Sequence, residues 1–411
     1  MNPPPKLQTP PALEFEEHVE SCMQRLRGAL TELLTSLGVD PSAPQDMSRR
    51  FGINKNLTWK LSKIVHAADA GEAVPHLPGT GGLEIALKAF ASAGAEDAYI
   101  ERVREELRGF DAMVELHAGD RATLELMLGS QSASTSNDPR MVASRKQAFQ
   151  ANGAIFGVQA RTRFGAQFVA PGESPDMLDT ASMGGLLDFR RLRSNARWPL
   201  VFNLAYNDDG TPRAEMPEAI DRESQAEGGA PLIREFCSEP HPELESVQVP
   251  TGTLYELVEG PVGNTGAFST VLGWCARGFA TRYKDELNDH AEHYLPLNVP
   301  CETAVFDLYV HRELAFEMPP EVRVLSRMEV GMHIPASAGR RYRLPVDQKP
   351  QDLGGGPPVV ATPLVAHYGR MIQRVHERMG WNERDFHGYR FTWKYPPVPT
   401  VPMFCYPLLD R

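Results

Sequence analysis

Between Met47 and His66 the chain carries five cations, Arg49, Arg50, Lys55, Lys60 and Lys63, and no Asp or Glu. The whole chain of 411 residues has a net charge of -11, so removing this +5 window leaves -16 over the rest. Lys and Arg at such density displace counterions from phosphates. Interleaved with them are Asn54, Asn56, Ser62 and Trp59. An Asn carboxamide can pair bidentately with an adenine edge, and a Lys can take guanine or phosphate. An exposed Trp beside cations is costly unless it meets a partner. In an acidic chain, contact with a polyanion has to come from a focused patch of this kind.

The elements that would position these groups are two short helices, Gln45 to Gly52 and Asn56 to Ala68, joined by the turn Phe51-Gly52-Ile53-Asn54. Gly52 suits a sharp bend because a residue without Cβ tolerates positive φ. Ile53 is expected to plug the space between the helices, with Met47 and Phe51 on the inner side of the first. Leu57, Leu61 and Ile64 are expected to form the buried stripe of the second. A rotation of about 100° per residue then turns Lys55, Asn56, Trp59, Ser62 and Lys63 outward. Residues 46–66 resemble the helix-turn-helix of DNA-binding regulators, with Ser48 at the small position of the first helix. The apolar position expected in the second helix falls on Thr58, one place after Leu57. The resemblance implies that the second helix, Asn56 to Ala67, enters a major groove. Arg49 and Arg50 would then touch backbone phosphates, and Asn54 and Lys60 are counted among the DNA-binding residues. It also implies a homo-oligomer, because one such module reads few base pairs.

Around this hairpin the spacing divides the chain. Residues 1–12 are expected to be a disordered tail. Residues 13–128 form a helical domain opened by a long amphipathic helix from Phe15 to Leu37, with Gly38 as its stop. Further helices are expected over Leu83–Ala93, Asp97–Leu116 and Asp120–Leu128. Gly129 to Asn137 is small and polar, a linker. Residues 138–411 are expected to be an α+β domain with a mostly antiparallel sheet. It opens with a helix from Asp138-Pro139 towards Asn152. Period-two alternation from Phe156 to Phe168, bent at Gly165, predicts a strand. Other strands are expected at Leu200–Tyr206, Ser246–Val249, Thr253–Val258, Thr303–Val310, Val322–Ile334 and Thr400–Tyr406. Helices are expected at Phe268–Leu287 and, capped by Thr362 and stopped by Gly380, at Pro363–Met379.

Other chemistry is sparse. His290 and His293, beside Asp289 and Glu292, can share a metal if they lie on a helix, with His241, His311 or His333 as third ligand. Solvated side chains are the favoured reading, and no metal or other cofactor is expected. Five cysteines with no CxxC spacing argue against disulfides and a cysteine zinc site, and Cys275 and Cys301 are expected to be core thiols. Leu77-Pro78-Gly79-Thr80-Gly81 spells a sortase pentapeptide in the wrong context and is read as a loop before a helix. The aromatic end Tyr389 to Pro407 is expected to close the fold. No apolar run is long enough to span a bilayer, and the proline-rich start lacks a signal-peptide core. The expectation is a cytoplasmic, membrane-free regulator binding double-stranded DNA, its C-terminal domain serving an effector, a protein partner or oligomerisation. A structural assembly protein, or an enzyme with a site in the C-terminal domain, are the alternatives.

Overall fold

A computed structural model describes residues 15–131, 139–204, 211, 216–226, 229–250, 252–286, 289–326 and 343–411. The fold is α+β, and the chain divides into two compact units, residues 1–133 and 134–411. The expected tail, most of the expected linker, Asp138, 327–334 with His333, and much of the loop around 208–229 lie outside the described residues.

The first unit is all helix: α1 (Phe15–Ser36), α2 (Pro44–Phe51), α3 (Lys55–His66), α4 (Ala70–Ala73), α5 (Thr80–Ser92), α6 (Asp97–His117) and α7 (Arg121–Gln131). The last runs three residues into the segment expected to be a linker. Along α1, Val19, Cys22, Met23, Leu26, Leu30, Leu33 and Leu34 repeat at three and four and are all buried. They pack chiefly on α6, which contributes Ile100, Val103, Phe110 and Met113. Gly38, at φ 61°, lets the chain leave α1 in a left-handed conformation. Met47, Ile53, Leu61 and Ile64 join the same core. Thr58, not Leu57, sits deepest on that side of α3: Thr58 is fully buried and its hydroxyl returns to the Lys55 carbonyl. Leu57 is half-buried against the core.

The second unit opens with α8 (Pro139–Phe156), then β1 (Val158–Pro171), β2 (Met177–Arg191), β3 (Trp198–Leu204), β4 (Glu218–Ala219), α9 (Arg222–Ala226), β5 (Leu244–Val249) and β6 (Gly252–Leu257). It continues through β7 (Phe268–Thr281), β8 (His290–Tyr294), β9 (Cys301–His311), β10 (Glu321–Leu325), β11 (Gln351–Gly355), α10 (Tyr368–Met379), β12 (Phe386–Lys394) and β13 (Val401–Pro407). The main sheet runs β11-β12-β9-β1-β2-β7-β4, antiparallel except where β1 lies parallel to β9. One face, with Phe164, Phe168, Met183, Val271 and Tyr309, is covered by the Met371, Ile372 and Val375 stripe of α10. The other, with Phe306, Leu308, Phe391 and Trp393, is covered by Val322, Val324, Phe404 and Tyr406 of the sheet β10-β13-β8. A third sheet, β3-β6-β5, stands beside them.

Three expectations are corrected here. Phe268–Leu287 is no helix; β7 occupies most of it, and both faces of its first half are buried, which removes the alternation by which a strand is recognised. The helix near Pro363 starts only at Tyr368, after His367 at φ 57°, while Thr362 Oγ1 accepts from Leu364 N at 3.3 Å in the loop before it. Gly380, at φ 69°, ends that helix. Phe156 belongs to the end of α8, and β1 begins at Val158 after the left-handed Gly157.

Candidate nucleic-acid interface

The turn between α2 and α3 is built by three local devices. Gly52 takes φ 66° and ψ 22°, where any side chain is strained. Ser48 Oγ donates to the Ile53 carbonyl at 2.7 Å and ties α2 to the far side of the turn. The Asn54 side chain caps α3 by accepting from Asn56 N at 2.8 Å. Phe51 meets Phe90 of α5 edge-on at 5.1 Å, anchoring α2 from behind. At the other end of α3, Arg27 of α1 donates to the Ala67 carbonyl at 2.5 Å, and Glu20 accepts from Ala70 N at 2.8 Å. Both ends of α3 are therefore held by the core.

On this frame Lys55, Asn56, Trp59 and Lys63 are exposed together on one side of α3. Trp59 is 43% exposed, so its indole is not a core residue. Its ring meets His76 edge-on at 5.2 Å, and Lys63 Nζ lies 5.9 Å from its centre. Ser62 and Lys60 are half-buried at the margins of that face. Lys55, Lys60 and Lys63 form no ion pair with any described residue. Arg49 is exposed and reaches Asp46 at 3.5 Å, an exposed pair that holds it only weakly. Arg50 is exposed too, but it is spent within the chain: it donates to the Gly38 carbonyl at 3.2 Å and lies over the Phe51 ring. Asn54 has its carbonyl oxygen engaged as the cap. Lys55, Asn56, Trp59 and Lys63 thus share one side of α3, flanked by Lys60 and Ser62, while Arg50 and Asn54 are engaged within the chain.

The alternative weighed for His290 and His293, a shared metal on a helix, does not fit the strand they lie on. His290 and His293 lie on β8, where residues three apart face opposite sides. His290 Nδ1 meets Asp289 at 2.8 Å. His293 Nδ1 meets Gln167 Oε1 at 3.0 Å and its Nε2 meets the Tyr406 hydroxyl at 2.9 Å, which occupies both ring nitrogens. Burial lowers its pKa to about 4 and keeps it neutral. Of the proposed third ligands, His241 bonds the Ser238 carbonyl and His311 accepts from Glu313 N. Among the described residues no three His, Cys, Asp or Glu side chains are grouped to hold a metal ion. Cys275 lies on β7 and Cys301 opens β9; both are buried, and burial pushes the Cys301 thiol up to about 12. Such thiols make poor nucleophiles.

The densest polar cluster of the second unit escaped sequence reasoning. Asp307 of β9 accepts from Arg390 Nε at 2.8 Å and from the second guanidinium nitrogen at 2.7 Å. Its Oδ2 also accepts from the hydroxyls of Tyr309 at 2.8 Å and Tyr368 at 2.9 Å. Arg390 then donates to the Val360 carbonyl at 2.9 Å. Burial first, and the Asp307 charge second, push both phenols well above their ordinary pKa. Every member is satisfied, so the cluster joins β9, β12 and α10 and leaves no group poised to react. The partners lie as far as 83 residues apart in sequence, and no local pattern marks them. No protein-family model, curated protein or solved structure matches the chain.

Proposed function

We propose that this chain is a DNA-binding regulator in which α3 reads double-stranded DNA and the second unit serves an effector, a protein partner or a further copy of the chain. The observation that carries the reading is the coincidence of a left-handed Gly52 turn, a buried Ile53 plug and an outward face of Lys55, Asn56, Trp59 and Lys63. Asn56 would pair with an adenine edge, and Lys55 and Lys63 would take guanine or phosphate. Arg49 would contact the backbone from α2.

Electrophoretic mobility shift with duplex DNA tests this. Lys55→Ala/Asn56→Ala/Lys63→Ala is expected to abolish the shift while the helical content of the chain is unchanged. Unaltered binding by this triple variant removes the reading.

A further inference from the structure

Round the axis of α3, Trp59 stands about half a turn from the buried stripe of Leu61 and Ile64, at the middle of the outward face. Asn56 lies one turn before it and Lys63 one turn after, and all three are exposed. Side chains three and four apart on a helix are neighbours, so Asn56 and Lys63 flank the indole. Two contacts steady the ring. Lys63 Nζ lies 5.9 Å from its centre, and His76, in the turn Val74–His76, meets it edge-on at 5.2 Å. Even so, 43% of Trp59 stays open to solvent. An indole held outward adds nothing to the core of its own unit, and apolar area left in water is unfavourable.

The cations and the amide of this face meet phosphates and polar base edges, whereas the ring needs an apolar partner. Base edges in the major groove present donors and acceptors, and the one apolar group they project is the C5-methyl of thymine. Along α3, Asn56 and Trp59 are about 4.5 Å apart, and neighbouring base pairs are about 3.4 Å apart. An adenine edge taken by Asn56 therefore puts Trp59 at the next pair.

We infer that Trp59 reads thymine by packing its indole against this methyl group, so that the duplex selected by α3 carries adenine and thymine at adjacent pairs; this rests on the reading of α3 given above. Lys55 and Lys63 beside them supply the attraction to phosphate that all sequences share.

The test is fluorescence anisotropy of the full chain on two alternating duplexes of equal length, one of adenine and thymine, the other of adenine and uracil. The two differ in the methyl group alone. Its removal is expected to weaken binding about fourfold. Trp59→Ala is expected to bind both duplexes alike, with helical content unchanged because the side chain lies outside the core. Trp59→Phe keeps an apolar ring and is expected to retain part of the preference. Equal affinity of the unsubstituted chain for the two duplexes, with binding still lost on substituting Lys55, Asn56 and Lys63, overturns this inference and leaves the α3 reading intact. A preference that persists in Trp59→Ala also overturns it, since the methyl group is then felt elsewhere or through the shape of the duplex. No duplex binding by the unsubstituted chain overturns both.

Discussion

The α2–α3 hairpin and the Asp307 cluster use the same kind of residue to opposite ends. In the hairpin, Lys55 and Lys63 stand exposed at the rim of a core in which Thr58 is the one buried polar side chain among the described residues of this unit. In the cluster, Arg390 has only 6% of its side chain exposed and Asp307 none, and their mutual bonds are completed by the Val360 carbonyl and the hydroxyls of Tyr309 and Tyr368. A charge left outward costs little and stays available to a partner. A charge taken inward needs every bond it can get, and in exchange locks three elements into one geometry. The first arrangement is legible as a potential function, the second as architecture.

The sharpest way to break this comparison is at Asp307. Asp307→Asn leaves the Arg390 guanidinium buried beside a neutral amide, and is expected to cost about 3–5 kcal/mol. Four of the five tryptophans lie in the second unit, so urea unfolding followed by fluorescence reports it directly. A change below about 1 kcal/mol would mean that water reaches the pair and that it is no internal strut.

Acid probes the same unit more gently. His376 is buried among the rings of Phe168, Trp381 and Phe386, and burial lowers its pKa from 6.5 to about 4. Between those values the unfolded chain binds the proton and the folded chain does not. Stability is therefore complete above about pH 6.5 and falls as pH drops towards 4, by roughly 3 kcal/mol for this group at the lower end. His376→Phe is expected to flatten that part of the pH profile of the urea midpoint. An identical profile in the variant would assign the acid sensitivity elsewhere, with His293 next in line.

The smallest effect is expected in the hairpin. Gly52→Ala places a Cβ at φ 66° but meets no neighbour within 4 Å, so the cost is backbone strain alone, about 1–2 kcal/mol. Circular dichroism should show a lower first helical transition and an undisturbed second unit. A neutral result would show that the bend has little need of glycine.

What could be read from sequence were features with local causes. Gly38, Gly52 and Gly380 end helices because each position is left-handed, and the α1 stripe repeats because one side of a helix is buried. The expected DNA face was legible on the same grounds, since an exposed helix side follows from spacing alone. Features with distant causes were missed. β2, the longest strand, was overlooked because Gly184 and Gly185 look like breakers beside Asp179, Thr180 and Ser182. In the sheet they are close-approach residues: a Cβ on Gly185 would stand 2.1 Å from the Thr270 carbonyl oxygen. Whether His290 and His293 share a side was left to the element they lie on, because Asn288 to Tyr294 carries no alternation that separates helix from strand. Arg390 and Asp307 meet across a strand pairing that no spacing rule foresees.

The parallel pairing of β1 with β9 has a consequence for how the chain comes to be folded. β1 is among the first parts of its unit to be synthesised, yet one of its two edges stays bare until Cys301–His311 has been made. During that interval an apolar strand edge is a template for any other extended chain. The helical unit has a shorter wait: α1 meets its chief partner, α6, once His117 has been made, before any strand of the sheet. Synthesis therefore delivers the basic hairpin in finished form while its larger companion is still open to misassembly, and crowding of nascent chains is the condition under which this protein is most exposed to loss.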